Sequence, residues 1–588
     1  MNIIEREQKS SSIIENILMN RNIQDIDLFL EPDGSTDSDL KDFTKIEDAA
    51  KNLIYHIATS SSIGVVVDPD ADGYTSSAVL IRYLNDVIKN YNSSSTVNFY
   101  MQHGKHHGLT EEIMEDINSD SPDLVLIPDA ASNDIDNLLT LSTSGFEVIV
   151  IDHHEIERED LIDIIENVTI INNQRSTEKD KVSKWFTGAG MIYNFIKVVS
   201  SLLENSEDKL KPLDDYLDLV AIGQIGDASD ISENEIRNIV FKGLKNIKTP
   251  FVKSVLKSKS ISTERVTPQD LSFSIIPMIN SVTRIGTQEN KTDLFSAMIR
   301  EEEDDNIVDV VKRKLNKETR KYEHIKFEMP YTESISESSA KVKTKQDSIV
   351  KKTMTLLDKQ TDHKQGILIY TMEQLENGSI TGLVATKLSR KYDKPALVLL
   401  DNGDCWTGSA RGIEKVLESF KDWCEDSDLF EFARGHANAF GVSIKKHKFD
   451  DLLEASSKFD ATPSDEYEVD KKYTGTVDKK DVDTIISFKH IIGGKVDSPL
   501  LGFESIKVKR RNIYTKGQTI EFRVGGVPFV FWGAPSHLFD ALDSGFSDTL
   551  TLDFIGEPFE SNFGGTIKNK VIVRDMSIDD ATDDEIFF

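Results

Sequence analysis

Cysteine is nearly absent from this chain: only Cys405 and Cys424 occur in 588 residues, with no CxxC pair and no Cys/His zinc spacing. Neither a disulfide framework nor a structural zinc is expected, and a reducing compartment is. Nor is there an apolar run near the ~18–20 residues that span a bilayer. The opening "MNIIEREQKSSSIIENILMN" lacks the compact apolar segment and small-residue cleavage site of a secretory signal. With cysteine so scarce, the cytoplasm is the expected location, a bacterial one given that richness in Lys, Ile, Asn and Ser points to an AT-rich genome, bacterial or phage. Positive charge is also short: 69 Lys and Arg face 101 Asp and Glu, a net charge of −32. Taken globally, that argues against indiscriminate nucleic-acid binding, because a polyanion repels phosphate. Local sorting of charge escapes the argument, as do carboxylates that hold divalent cations.

What is present points to a large soluble protein. The length exceeds one core and predicts three or more domains. Hydrophobic residues at 38% and charged residues at 29% fit a globular chain with a solvated surface. Three runs read as buried strands, "IGVVVD" (63–68), "DLVLIPD" (123–129) and "FEVIVID" (146–152). Each is short, rich in β-branched residues and ends in aspartate. Helical or mixed sequence separates them, which predicts a parallel sheet covered by helices on both faces. Ligands of such sheets bind beyond the carboxyl ends of the strands, so the terminal aspartates would converge on one edge. A fourth segment, "DYLDLVAIGQIGD", brings Asp227 to the end of a stretch that reads as helix.

The first run continues as "DPDADGYTSS". Asp68, Asp70 and Asp72 alternate, so in extended chain they project to one side and can share a metal. A turn with an Asp-rich helix cap would give the same local sequence. A helix-flanked calcium loop would not, since its terminal glutamate is missing and a strand precedes it. The third run ends Asp152-His153-His154. Carboxylate and imidazole together suit Mn²⁺, and Mg²⁺ less tightly. Two such ions about 3.5–4 Å apart are the usual machinery of phosphodiester hydrolysis.

"DPDADG", "PDAAS", "DHH" and "GQIGD" resemble, in order, the four motifs of the DHH phosphoesterase superfamily. Later segments resemble its RecJ-like single-strand DNA exonucleases: "PMINSVTRIG" (277–286), then "SITGLVATKLSRKYDKPALVLL" (379–400), "GSARG" (408–412) and "RGHANAFG" (434–441) of a DHHA1 domain. "NRNIQDIDLFLEP" (20–32) is similar to the family's N-terminal leader. The resemblance implies two ions. Asp70 would bind one and Asp72 the other, Asp129 would bridge them, and His153 and Asp227 would complete the second ion's shell. His154 would face the substrate phosphate, with Asp152 and Asp68 as catalytic partners, Asp68 either as ligand or as the carboxylate that orients ligands. Ser409, Arg411, His436 and Arg284 would clamp substrate phosphates, and Arg434, where the family has glycine, would add a contact. An arginine that the family uses near a 5′ phosphate falls near Gln102, with His103, Lys105 or His106 as substitutes. The histidine that many superfamily members have four residues before the first metal aspartate is Val66 here, the family's usual glycine after the bridging aspartate is Ala131, and one alanine of the last motif is Phe440.

The implied architecture is α/β. It comprises a leader (1–50), a parallel-sheet DHH domain (51–304), a connecting helix (305–345), an α/β DHHA1 domain (346–460), an OB-like β-barrel (461–574) and an acidic tail (575–588). Residues 307–328 read as helical, with Ile307, Val310, Val311 and Leu315 on one face. In "ESIKVKRRNIYTKGQTIEFRVGGVPFVFWG", Lys507, Lys509, Arg510, Arg511, Lys516 and Arg523 interleave with Tyr514, Phe522 and Trp532. Cations for the backbone and aromatics for bases are what an OB-fold offers a single strand, while Phe529 and Phe531 read as core. The tail "DDATDDEIFF" is expected to be disordered, and either recruits a single-strand-binding, replication or repair protein or competes with DNA for the basic face. The function implied is Mn²⁺/Mg²⁺-dependent 5′→3′ hydrolysis of single-stranded DNA to 5′-mononucleotides. The alternatives are a phosphodiesterase of short oligonucleotides or cyclic dinucleotides, a non-catalytic replication scaffold, and a soluble pyrophosphatase.

Overall fold

The computed structural model describes residues 1–580 except 105, 178–180, 302–305, 316–319, 321, 361–364, 374, 376–377, 414–415, 460–465, 489–491, 494–495, 545–547 and 564–565. The chain forms two compact units, one of residues 1–280, 292–336 and 466–588, the other of residues 281–291 and 337–465. The first unit opens with strand β1 (Asn2–Glu5), which pairs in parallel with a strand more than 450 residues later, near the C-terminal sheet. Its centre is a five-stranded parallel sheet of β2 (Ser62–Val67), β3 (Thr96–Met101), β4 (Leu124–Pro128), β5 (Glu147–Asp152) and β6 (Val168–Asn172), ordered β3-β2-β4-β5-β6. The apolar runs of β2, β4 and β5 are buried on both faces, as a sheet covered by helices on each side requires, while edge strand β3 is exposed at Thr96 and Asn98. The order reverses between β2 and β4, so their carboxyl ends flank a switch point where the chain leaves to opposite sides.

Helix Ala71–Asn90 follows β2 directly, capped at its N-terminus by Asp70, whose Oδ1 accepts the amides of Asp72 and Gly73 (2.9 and 3.0 Å). The expected helix ending in Asp227 is present as Leu217–Gly226. The N-terminal leader is tied to the core through Arg237. Its guanidinium lies 3.6 Å from the Phe29 ring centroid and 4.2 Å from that of Phe241 and donates to the Phe29 carbonyl.

Residues 307–330 depart from the expected connecting helix. They form an antiparallel hairpin, β7 (Ile307–Leu315) with β8 (Tyr322–Pro330), and the helix starts only at Tyr331, running to Leu357. The reason is visible in the pairing: Val308 faces Met329, Val310 faces Phe327 and Lys312 faces Ile325. A period of two across β-branched and aromatic residues outweighs the apolar positions that also match helical spacing.

The second unit carries a mixed sheet of β9 (Leu368–Met372), β10 (Ala396–Asn402), β11 (Cys405–Arg411), β12 (Phe430–His436) and β13 (Ala439–Lys445), ordered β12-β13-β11-β10-β9. It begins earlier than the expected 346 and includes residues 281–291, so Arg284 belongs to this unit rather than to the first. Phe440 fills its core, edge-on to Phe420, which explains a large side chain where the family has a small one.

In the first unit, β14 (Glu466–Val469) holds β1. A seven-stranded sheet follows, made of β15 (Lys471–Thr474), β16 (Leu501–Lys509), β17 (Tyr514–Lys516), β18 (Thr519–Val524), β19 (Val527–Trp532), β20 (Thr549–Phe563) and β21 (Thr566–Asp580). It fits an OB-like domain. Strand β21 runs to Asp580, opposite Leu550, so the sheet extends six residues past the expected boundary at 574. Residues 581–588 of the acidic tail lie outside the described residues.

Candidate metal centre

Strands β2, β4 and β5 deliver their terminal acids to one edge of the parallel sheet. Asp68, Asp72, Asp129 and Asp152 are all buried there. The centre of the group is the His153 imidazole. Its Nε2 lies 3.1 Å from Asp129 Oδ1, 3.6 Å from Asp227 Oδ2 and 3.7 Å from Asp72 Oδ2, so three carboxylates from three separate elements surround one nitrogen. Burial, followed by the charges of Asp72, Asp70, Asp68 and Asp152, raises the Asp129 carboxyl well above its ordinary range. Asp129 Oδ1 is buried and, beyond the 3.1 Å approach of His153 Nε2, has no hydrogen-bond partner. Four crowded acids and a buried oxygen so sparsely partnered are costly for the protein alone and are what a divalent cation would relieve. The residues present therefore fit a metal.

The surrounding chain fixes these carboxylates. Asp72 accepts the Thr187 hydroxyl (2.8 Å) and the amides of Gly188 (2.6 Å) and Ala189 (3.0 Å) at the start of helix Gly188–Leu202, where the helix dipole favours negative charge. Gly188 must be glycine: a Cβ there would stand 2.4 Å from both Cβ and Oδ1 of Asp129. Asp129 and Ala131 have φ of 64° and 77°. The backbone at 131 therefore keeps the left-handed conformation that glycine adopts freely, although alanine occupies it.

Asp152 organises the two histidines. Its Oδ1 accepts the backbone amides of His153 (2.7 Å) and His154 (3.2 Å) and faces His154 Nδ1 at 2.8 Å, while Oδ2 accepts the Ser132 amide (3.0 Å). Burial opposes charge on Asp152, but His154, His153 and the Ser132 amide outweigh it and hold the carboxyl below its usual range. In return the Asp152 charge pushes His154 up to about 10 against the loss from burial in the metal-free site. Asn172, at the end of β6, donates to the Ser132 hydroxyl and the His154 carbonyl, both at 2.9 Å. Sequence reading passed over Asn172 and Thr187, which carry no motif of their own.

It also passed over His107. This imidazole, in the loop after β3, places Nδ1 2.5 Å from Asp68 Oδ2, and Gly108 donates its amide to Asp68 Oδ1 at 3.0 Å. The available signal was three histidines, 103, 106 and 107, just past a strand adjacent to β2. Val66, by contrast, is core. Gln102 is buried and bonded to the Gly108 carbonyl and the Thr110 hydroxyl, so it braces the loop from inside. His103 and His106 are exposed, and Lys105 lies outside the described residues.

In the second unit, Ser409 Oγ and Thr381 Oγ1 are 2.9 Å apart at the start of helix Thr381–Tyr392. Arg411 donates Nε to Thr386 Oγ1 (3.1 Å) and Nη1 to the Ala410 carbonyl (2.7 Å). Burial and then the neighbouring Arg284 charge lower its guanidinium from the ordinary value. Two cations beside a hydroxyl pair and a helix N-terminus form an anion-favouring group. Arg434 is exposed beside the Phe432 ring, and the side chain of His436 lies outside the described residues.

On the C-terminal sheet, Lys507, Lys509, Arg511, Lys516, Arg523, Tyr514 and Trp532 are exposed. Two expected contacts are corrected. Phe522 is 2% exposed, stacked on Phe529 with 5.1 Å between centroids, and belongs to the core. Arg510 donates to the carbonyl of Leu542 within helix Ser536–Ser544, so its guanidinium braces that helix.

An acid-lined switch point on a parallel sheet, with paired histidines beside it, defines a metallophosphoesterase-type site. A family model described as "DHH family, N-terminal domain" matches residues 62–224. The chain is 30% identical over 97% of its length, and 97% of the relative's, to a putative SPbeta prophage-derived single-strand DNA-specific exonuclease, YorK, of Bacillus subtilis. It is 22% identical to the single-stranded-DNA-specific exonuclease RecJ of Salmonella typhimurium over 69% of this chain and 67% of that one. Among solved structures, RecJ of Thermus thermophilus in complex with Mn²⁺ has the same fold, with TM-score 0.71 and 17% identity over 99% of this chain and 80% of that one. The chain belongs to the RecJ-like branch of the DHH superfamily.

Proposed function

We propose that this protein is a metal-dependent 5′→3′ single-stranded DNA exonuclease that releases 5′-mononucleotides. The observation that carries the proposal is the position of His153 Nε2, within 3.7 Å of carboxylate oxygens of Asp72, Asp129 and Asp227. The likeness to YorK and RecJ supplies the substrate class. In this reading Asp72, Asp129, His153 and Asp227 would hold one Mn²⁺ or Mg²⁺, and Asp70 and Asp129 would hold a second. Two such ions, when bound, supply Lewis-acid activation of phosphate and water.

The chain's own residues do the rest. His154, its Nδ1 held 2.8 Å from Asp152 Oδ1, would offer its other ring nitrogen to the phosphoryl oxygens as negative charge builds on them. Arg411, Arg284 and Ser409 grip backbone phosphates, with His436 and Arg434 as further contacts. Exposed Tyr514 and Trp532 take stacked bases among the cations Lys507, Lys509, Arg511 and Arg523. The acidic run past Asp580 suits a contact with a single-strand-binding or repair protein, and deleting residues 581–588 would abolish that capture. No helix among the described residues is long and apolar enough to cross a membrane, in keeping with a cytoplasmic site of action.

The test follows 5′- and 3′-labelled single-stranded DNA with Mn²⁺, beside Asp227→Ala. Immediate release of labelled mononucleotide from the 5′ end, gradual shortening of the 3′-labelled strand, and an inert variant are expected. Tight binding without cleavage in any divalent metal would overturn the enzyme reading and leave the scaffold.

A further inference from the structure

We infer that His107 is a ligand of the first ion, its imidazole binding beside Asp70, while Asp68 serves as the carboxylate that orients the ring. The inference rests on the two-ion reading above. Asp68, Asp70 and His107 bring one potential ligand atom each to within 4.8 Å of one another, from the end of β2, the cap of the following helix and the loop after β3. Asp70 has Oδ1 committed to two helix amides. Asp68 is 1% exposed, and both its oxygens engage the loop, Oδ1 through the Gly108 amide and Oδ2 through His107 Nδ1. A histidine whose Nδ1 is engaged by a buried carboxylate is set to ligate through Nε2, and such carboxylate–histidine pairs fix ring orientation at metal sites.

The loop is built to hold the ring there. Gly108 has φ of +74°, and a Cβ on it would stand 2.1 Å from Asp134 Oδ2, which accepts the Leu109 amide at 2.7 Å. Buried Gln102 bonds the Gly108 carbonyl from beneath. His107 itself is half exposed, facing outward from these supports. A second observation points to the same ion. Asp129, whose buried Oδ1 has only the 3.1 Å approach of His153 Nε2 beside it, feels the charges of Asp72, Asp70 and Asp68. A carboxylate in that company would be available to both ions. The two histidine-bearing groups, Asp129 with His153 and His154 and Asp68 with Asp70 and His107, then give each ion an imidazole. With Val66 in the core, β2 brings none.

Mn²⁺ binding to the metal-free full-length protein, followed by electron paramagnetic resonance, tests the assignment. His107→Ala and His107→Gln should each weaken one of two Mn²⁺ sites by about 10- to 100-fold and leave the other unchanged. Asp227→Asn should weaken the other site alone. With His153 and His154 both replaced by alanine, nitrogen coupling from one remaining imidazole should persist in the bound Mn²⁺ spectrum and vanish on adding His107→Ala. Two unchanged affinities in both His107 variants, or no nitrogen coupling in the double variant, would overturn the assignment. If Asp227→Asn also left Mn²⁺ binding untouched, the metal-centre reading itself would fall, which separates the two failures.

Discussion

At the metal centre each side chain has a separable job, and the geometry says which measurement isolates it. Asp227 approaches His153 Nε2 at 3.6 Å and is a third exposed, so Asp227→Asn removes a charge without opening the core. Metal affinity should fall by about 10- to 100-fold, with activity restored in part by excess Mn²⁺. His154 contributes a hydrogen bond to phosphate rather than ligation in this reading. His154→Gln should therefore lower kcat by about 10²- to 10³-fold while Mn²⁺ affinity holds. The His154–Asp152 pair also stabilises the metal-free fold, and the sign follows from both partners. The histidine is raised from 6.5 to about 10, so its contribution is full below pH 6.5 and is lost as pH rises toward 10. The aspartate is lowered from 3.8, so its part is present above that pH and is lost on further acidification. In chelator, the melting-temperature difference between the native chain and His154→Gln should be largest between these limits and shrink toward pH 10. A difference that grows with pH would contradict the pairing.

The elements that could be read in advance are those where one signal dominates. Strands β2, β4 and β5 are short apolar runs closed by aspartate, and nothing in them competes with a buried parallel strand. The candidate metal-binding acids Asp129 and Asp152 were legible for the same reason, since strand ends in such a sheet fall on one edge. His107 was not, because its place depends on which strand neighbours β2, and pairing order is a tertiary fact. The hairpin β7–β8 was misread because Ile307, Val310, Val311 and Leu315 satisfy helical spacing while the chain also alternates. Aromatics of the C-terminal sheet divide by the strand period: Phe522 lies between exposed Glu521 and Arg523 and points inward, whereas Trp532 and Tyr514 point out. Phe522→Ala should cost about 3–5 kcal/mol of stability, read in a denaturant melt. Tyr514→Ala and Trp532→Ala should barely move the melt, yet each should weaken single-stranded DNA binding by about 1–3 kcal/mol if a base stacks on it. Unchanged DNA affinity in both would confine this sheet to a structural role.

Over the whole molecule the puzzle is a chain of net charge −32 that would travel along a polyanion. Long-range repulsion is screened within about 8–10 Å at ordinary ionic strength, so local charge governs contact. Exposed Lys507 and Lys509 on β16, which alternate with buried Ile506 and Val508, Arg511 just after that strand, and Arg523 on β18 are the cations placed to supply it. Each phosphate that these cations neutralise should contribute about −0.7 to the slope of log affinity against log salt for a single strand. Replacing the four by alanine should flatten that slope by up to ~3, weaken binding of long single strands, and leave hydrolysis of a dinucleotide unchanged, because the metal centre is untouched. Arg510→Ala is the internal control. Its guanidinium is engaged with the Leu542 carbonyl, so its loss should lower the melting temperature and leave the slope alone. If the quadruple variant keeps the native slope, the phosphates are met elsewhere, and the anion-favouring group of Arg411 and Arg284 becomes the surface to vary next.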